Sequence, residues 1–366
     1  MRDGAGGAED GDRTRGSITG RTGLLAGALV AVVLFLFGVR LLGAATAAAT
    51  PVLERWLTRF VRDAPSALGL AWLVTYGITN GSVVAALGVS LFDAGVVTDG
   101  QLFLLVAGSR LGGAAIVVFV GALDYLQRRQ TATLGESTRL GVLTFLATHS
   151  VYLPATVIGY VALPWTRTAL AGVGAAVGFE AAALSVFERA TDRIVDAVGP
   201  LPAVGVALAV LLGGLALFDR VLAGADETAL RDRVFSRFER PWLAALAGLA
   251  VTTASTSVAF SIGLVVPLYN RGYVTREEIL PYVLGANLGT LFDTVLVAVL
   301  LDAGVGVGTV LGLLAAAVVV TLPALVWFRR YAAAVGATLD AIEGSRARFG
   351  AFLAALVAVP AVLVAL

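Results

Sequence analysis

The chain has 366 residues, 58% of them hydrophobic and 14% charged, with a net charge of +1 and a mean hydropathy of +0.90. That composition excludes a soluble domain with a polar skin and reads as a polytopic membrane protein. All 26 basic residues are Arg and form no basic stripe, so nothing calls for nucleic acid, and with no Cys and one His the enzyme readings start weak.

Residues 1–20 are rich in Gly, Asp, Arg and Ser, carry no apolar run, and are expected to form a disordered tail. The run "TGLLAGALVAVVLFLFGV" follows, long enough for the ~20 residues that a bilayer crossing needs. A cleaved signal peptide is the rival reading, since arginines precede this run and "GAATA" follows it, but the run is long for a signal core. Spans are predicted at 22–48, 100–126, 138–164, 167–187, 199–220, 279–302, 305–328 and 349–366.

Segments 66–93 and 241–270 differ from these. Each is longer than one upright crossing requires, and each holds a small uncharged polar cluster at its centre, Thr79 to Ser82 in one and Ser255 to Ser257 in the other. Each reads as a re-entrant hairpin of two half-helices. Broken backbone at membrane depth is tolerated only beside protein or a water-filled cavity, which places the clusters at a site. An Arg-rich amphipathic stretch precedes each hairpin, "PVLERWLTRFVRDA" and "ETALRDRVFSRFER", and reads as a helix lying along the membrane surface.

The pattern occurs twice. Gly95 and Gly108 in one copy stand 177 residues before Gly272 and Gly285 in the other, and both stretches end in G-[SA]-x-L-G. The expected fold is therefore an all-α polytopic membrane protein of two structural repeats, 21–198 and 199–366, related by inversion and each carrying a hairpin. Inversion needs an odd number of crossings between equivalent points, and the predicted spans supply an even one. One segment between 138 and 187 is thus expected not to cross.

The motif residues resemble the type II sodium/phosphate cotransporters, whose repeats each carry T-x-x-x-Q-S-S-S and then G-A-N-[IL]-G-T. Gly285, Ala286, Asn287, Leu288, Gly289 and Thr290 reproduce the second motif, and Gly108, Ser109, Arg110, Leu111, Gly112 and Gly113 are its altered first copy. "LFLFGVRLLG" at 34–43 is similar to the family's first span, and His149 in "ATHSVY" to its A-H-x-x-F. The Gln-Ser-Ser-Ser motif maps to Thr75, then Thr79, Asn80, Gly81 and Ser82, and in the second copy to Ala250, then Ala254, Ser255, Thr256 and Ser257. Both Gln positions are lost. The resemblance implies hairpin tips that hold phosphate and sodium, and the lost Gln residues weaken phosphate more than sodium.

The residues carry a chemical reading of their own. The hydroxyls of Thr79, Ser82, Ser255 and Ser257 are hard oxygen donors suited to Na⁺ as a coupling ion, with no other cofactor called for, while half-helix N-termini present N–H groups to a small anion. Asn80, Gly81, Thr256, Asn287, Gly289 and Thr290 complete the candidate set, with Thr75 at the motif's head. Arg110 lies inside a span, where a charge costs about 2.5–3.5 kcal/mol, so it needs an anion or a partner. Asp293 is a similar case. Either Arg110 binds an anionic substrate, or the two pair across the halves. Glu180 and Asp124 are weaker candidates.

The expected function is secondary active transport in the cell membrane, sodium-coupled symport of phosphate or a related small anion by alternating access. The alternative is a non-transporting scaffold or sensor that kept the fold.

Overall fold

The computed structural model describes residues 8–127, 134–176, 185–223, 240–256, 261, 262, 265, 275–301 and 303–366, and among them every regular element is a helix. Six helical stretches among these residues are long and apolar enough to cross a membrane.

Helix α1 (Ala8–Phe60) carries the first apolar run. It starts inside the segment assigned to a disordered tail, of which residues 1–7 lie outside the described residues. It also continues through Pro51 into the Arg-rich stretch, which is therefore joined to the span as one helix. The second such stretch, at 227–240, lies almost wholly outside the described residues.

After α1 come α2 (Ala64–Ile78) and α3 (Gly81–Asp93), covering the first predicted hairpin. Asp63 starts α2 by accepting the Ser66 N–H at 2.9 Å, a bond that holds its carboxyl below its ordinary range. Helix α4 (Asp99–Gln127) follows. Four glycine contacts fix how these helices run. A Cβ on Gly108 of α4 would meet the Leu68 carbonyl, and one on Gly112 would meet the Trp72 carbonyl and Thr75, so α2 runs alongside α4 in the same direction. Gly81 faces the Ser109 carbonyl and Gly88 faces Leu105, so α3 runs back against it. The break between α2 and α3 thus lies level with Ser109–Gly112, well inside α4.

Helix α5 (Leu134–Ala176) corrects the span list. The sequence divides near Pro164 and Arg167 into spans 138–164 and 167–187, yet one helix passes through both Pro154 and Pro164. Arg167 is no loop charge, because it pairs with Asp99 at the start of α4. With that partner the helix runs on past the proline. Residues 177–184, with Glu180, lie outside the described residues. The short α6 (Glu188–Val198) leads into α7 (Pro200–Ala223), which packs antiparallel on α1, with Gly27 beside Val221 and Gly38 beside Leu211.

Then follow α8 (Pro241–Ser255), α9 (Arg276–Gly289), α10 (Leu291–Leu300), α11 (Val305–Val326), α12 (Phe328–Glu343) and α13 (Arg346–Ala365). The predicted span 279–302 is α9 and α10 joined at Thr290. Helices α8 and α9 repeat the contact made by α2 and α4. Gly285 abuts the Ala245 carbonyl, and a Cβ on Gly289 would lie 2.8 Å from the Leu249 carbonyl and 2.8 Å from Thr252 Cβ. Each of these positions is 177 residues on from its counterpart. Both seams are G-x-x-x-G surfaces, where the missing side chains let two backbones meet closely in an apolar medium.

Replacing Gly285 by Ala should overpack the seam against backbone that cannot yield, lowering stability by about 1–3 kcal/mol. Gly213, with open space at its Cβ position, is the control: Gly213→Ala should unfold at the native temperature or slightly above it in detergent.

Candidate functional site

Helix α2 ends because Thr79 turns left-handed, at φ 59° and ψ 16°, and α8 ends the same way at Thr256, at φ 53° and ψ 14°. Among the described residues these are the two non-glycine positions with positive φ. A β-branched residue in that region is strained, by about 1–3 kcal/mol, and such strain collects at functional sites. Asn80 then restarts the chain as the N-cap of α3, its Oδ1 accepting the Val83 N–H at 3.0 Å. The amides of Gly81 and Ser82 fall in the first turn, where N–H groups have no partner within a helix.

These breaks correct the register of the second copy. The motif match set Ala250 and Ala254 against Thr75 and Thr79, but the left-handed turn and the glycine contacts put Thr252 against Thr75 and Thr256 against Thr79. Both copies then read T-x-x-x-T at the end of the first half-helix, a pattern obscured because the polar run T-T-A-S-T-S permits several alignments.

A cavity of about 140 Å³ lies where the two breaks converge. One water needs only ~10–15 Å³, so a small ion with part of its hydration fits. Thr79, Asn80, Gly81 and Ser82 line one side, and Thr256, Asn287 and Thr290 another. Arg110 forms part of the wall. The remaining predicted residues stand elsewhere. Thr75 donates its hydroxyl to the Ala71 carbonyl at 2.7 Å, Gly289 is spent on the α8–α9 seam, and Ser255 is buried without lining the cavity. Ser257 lies outside the described residues.

Arg110 and Asp293 are 5% and 3% exposed, and they meet at 3.6 Å. The guanidinium also donates to Thr290 Oγ1 and Thr294 Oγ1, each at 2.6 Å, and to Ser82 Oγ at 3.4 Å. Thr294 in turn donates to Asp293 at 2.9 Å. Both readings of Arg110 are thus compatible with its placement: it is paired, and it faces the cavity. Asp293 stands behind it, at a small adjoining pocket shared with Ser82.

Helix α5 supplies a wall that the motifs did not indicate. Thr144, Thr148 and Tyr152 all line the cavity. Thr148 donates to Asn287 Oδ1 at 3.0 Å, and Tyr152 donates to the Asn287 carbonyl at 2.6 Å. This fixes the Asn287 side chain. Its Nδ2 and Thr144 Oγ1 are buried at the cavity with no hydrogen-bond partner among the described residues. The signal was present in the sequence as polar residues every fourth position, Thr144, Thr148, Tyr152 and Thr156, one face of a helix. His149 faces elsewhere, stacked on Phe145 and bonded to its carbonyl at 3.0 Å. Asp219 of α7 completes the lining.

Residues 210–357 match the family model described as Na+/Pi-cotransporter, a stretch that takes in Thr256, Asn287, Thr290 and Asp293 and leaves α2 to α5 uncovered. No curated protein and no solved structure matches the chain.

Breaking the buried pair from either side strands a charge. Arg110→Met and Asp293→Leu should each lower stability by about 3–5 kcal/mol, whereas the double variant should lose far less than the sum, because no lone charge remains. Unfolding of the four proteins in detergent closes the cycle.

Proposed function

The chain belongs to the Na+/Pi-cotransporter family, and from that premise we propose that it is a secondary active transporter of the cell membrane, coupling Na⁺ to the uptake of phosphate or a related small anion. The observation that carries this reading is the convergence of Thr79–Ser82 and Thr256 on one cavity, with Asn287 and Arg110 in its wall.

Two inverted repeats with re-entrant hairpins supply the moving parts. The 177-residue recurrence of the glycine seams and of the left-handed turns supports the duplication. The opposed directions of α2 and α3 against α4 support the first hairpin. Among the described residues the long helices between the two breaks are α4, α5 and α7; read as crossings they number three, the odd count that inversion requires. Two such halves rocking about a shared cavity expose it to either side in turn.

The cavity offers donors to both solutes. The oxygens of Thr79, Ser82 and Thr256 suit Na⁺, while the Arg110 guanidinium, Asn287 Nδ2 and the amides at the start of α3 suit an oxyanion. Coupling follows from charge. Each negative charge moved into a cell against 100 mV costs about 2.3 kcal/mol, so a divalent anion must travel with cations. Loss of both motif Gln residues is the one observation that favours the alternative, a scaffold or sensor without transport.

Full-length protein in proteoliposomes should take up labelled phosphate, or a smaller or larger oxyanion, only with an inward Na⁺ gradient. Ser82→Ala and Asn287→Ala should slow initial uptake about tenfold each, the effect of losing one hydrogen bond to a charged solute. If no gradient drives any oxyanion, the scaffold stands and transport falls. Uptake unchanged in Arg110→Ala and Asp293→Asn would remove that pair from the mechanism.

A further inference from the structure

A second pair of connected cavities lies on the outer flank of α8, away from the central site. The upper one is an open cleft of about 780 Å³ between the starts of α8 and α9 and the break at Trp327 that separates α11 from α12. Trp242 and Trp327 stand at its edges, 45% and 60% exposed, with Arg329 and Arg330 beside them. The lower one, about 120 Å³, is an almost wholly apolar seam with α8 and α11 as walls and α9 as floor. Trp242 and Leu325 line both, so the two form a single groove.

Polarity changes along this groove in one direction. From Trp242 down to Leu249 on α8, and from Leu325 down to Val318 on α11, the seam runs for about 10 Å at 1.5 Å per residue. Leu246 and Leu322, 57% and 45% exposed, are its open lip. Above it the charge is positive. Glu278, the acidic residue in the cleft, is already engaged by the Thr275 N–H at 2.7 Å and the Thr275 hydroxyl at 3.0 Å. Among the described residues no carboxylate pairs with Arg329 or Arg330.

We propose that this groove is a binding site for an anionic phospholipid. Its phosphate sits by the Arg329 and Arg330 guanidiniums between the two indoles, and one acyl chain lies in the seam below. Trp side chains settle at the boundary between headgroups and hydrocarbon, which sets the level of the cleft, and guanidinium groups bind phosphate oxygens there. A chain in the seam fills the gap between α8 and α11. It thereby steadies the helix that ends at Thr256, one wall of the central cavity.

Native mass spectrometry of the full-length protein, exchanged into detergent with equal phosphatidylglycerol and phosphatidylcholine, tests the site independently of any transport. The native protein should retain phosphatidylglycerol preferentially, and Arg329→Gln/Arg330→Gln should reduce that retention about ten- to thirty-fold, the effect of two surface arginines. Arg55→Gln/Arg59→Gln, on the exposed face of α1, should leave it unchanged. Leu322→Asn, at the open lip, should weaken retention of both lipids. Equal retention in the Arg329/Arg330 variant and the native protein means annular lipid only and overturns the proposal. So does release of the bound lipid by millimolar inorganic phosphate, which would make the cleft a site for the free ion.

Discussion

A guanidinium buried to 5% exposure in the middle of an apolar bundle constrains everything around it. Arg110 is almost wholly buried, and an unpaired charge at that depth is among the most expensive things a membrane helix can carry. Its partners, however, are not on its own helix. Thr290, Thr294 and Asp293 come from the α9–α10 region and Ser82 from the start of α3. The charge can therefore be accommodated only when those elements are assembled around α4. One residue thus ties the first half of the chain to the second at the level where the helices break.

The same constraint explains the form of the breaks. A left-handed Thr at the end of α2 frees backbone groups at membrane depth, and these must find partners or water. Asn80 answers with its side chain, capping α3 through Val83. The cavity answers for the rest, since it can hold water or ions against the first amides of α3. Strain at Thr79 and Thr256, unsatisfied atoms on Thr144 and Asn287, and the buried pair behind them all surround one space. Each feature alone would be a defect in a packed bundle. Together they describe a place that needs a polar occupant.

How far this could be read from sequence depended on how local each cause is. Apolar runs and the small polar clusters within them are local, so most spans and the position of the first break were legible. The Arg110–Asp293 pair was legible too, because two charges stranded inside spans have few other solutions. The unity of α5 was not, since Pro164 and Arg167 look like a loop until Asp99, which is distant in sequence, neutralises the arginine. Nor was the register of the second break, because in a run of Ser and Thr only the backbone shows which residue turns left-handed. The α5 wall was visible as a four-residue period. It went unread because hydroxyls on an apolar helix ordinarily bond back to their own backbone, as Thr156 does to the Tyr152 carbonyl at 2.6 Å.

The 177-residue correspondence sets Arg110 opposite Asn287, and that asymmetry bears on what the cavity can hold. Two like positions face the same space, one carrying a fixed positive charge and the other a neutral amide. Arg110 is held by two threonines and screened by Asp293, so its charge is directed without being free. Asn287 is held by Thr148 and Tyr152, so its amide is directed as well. On the proposed reading an anion is drawn toward α3 and α4, where guanidinium and helix-start amides lie together. The hydroxyl oxygens of Thr79, Ser82 and Thr256 around the same space are left to a cation. Corresponding positions that carry a guanidinium in one half and an amide in the other would in this way sort two solutes of opposite charge within a single cavity.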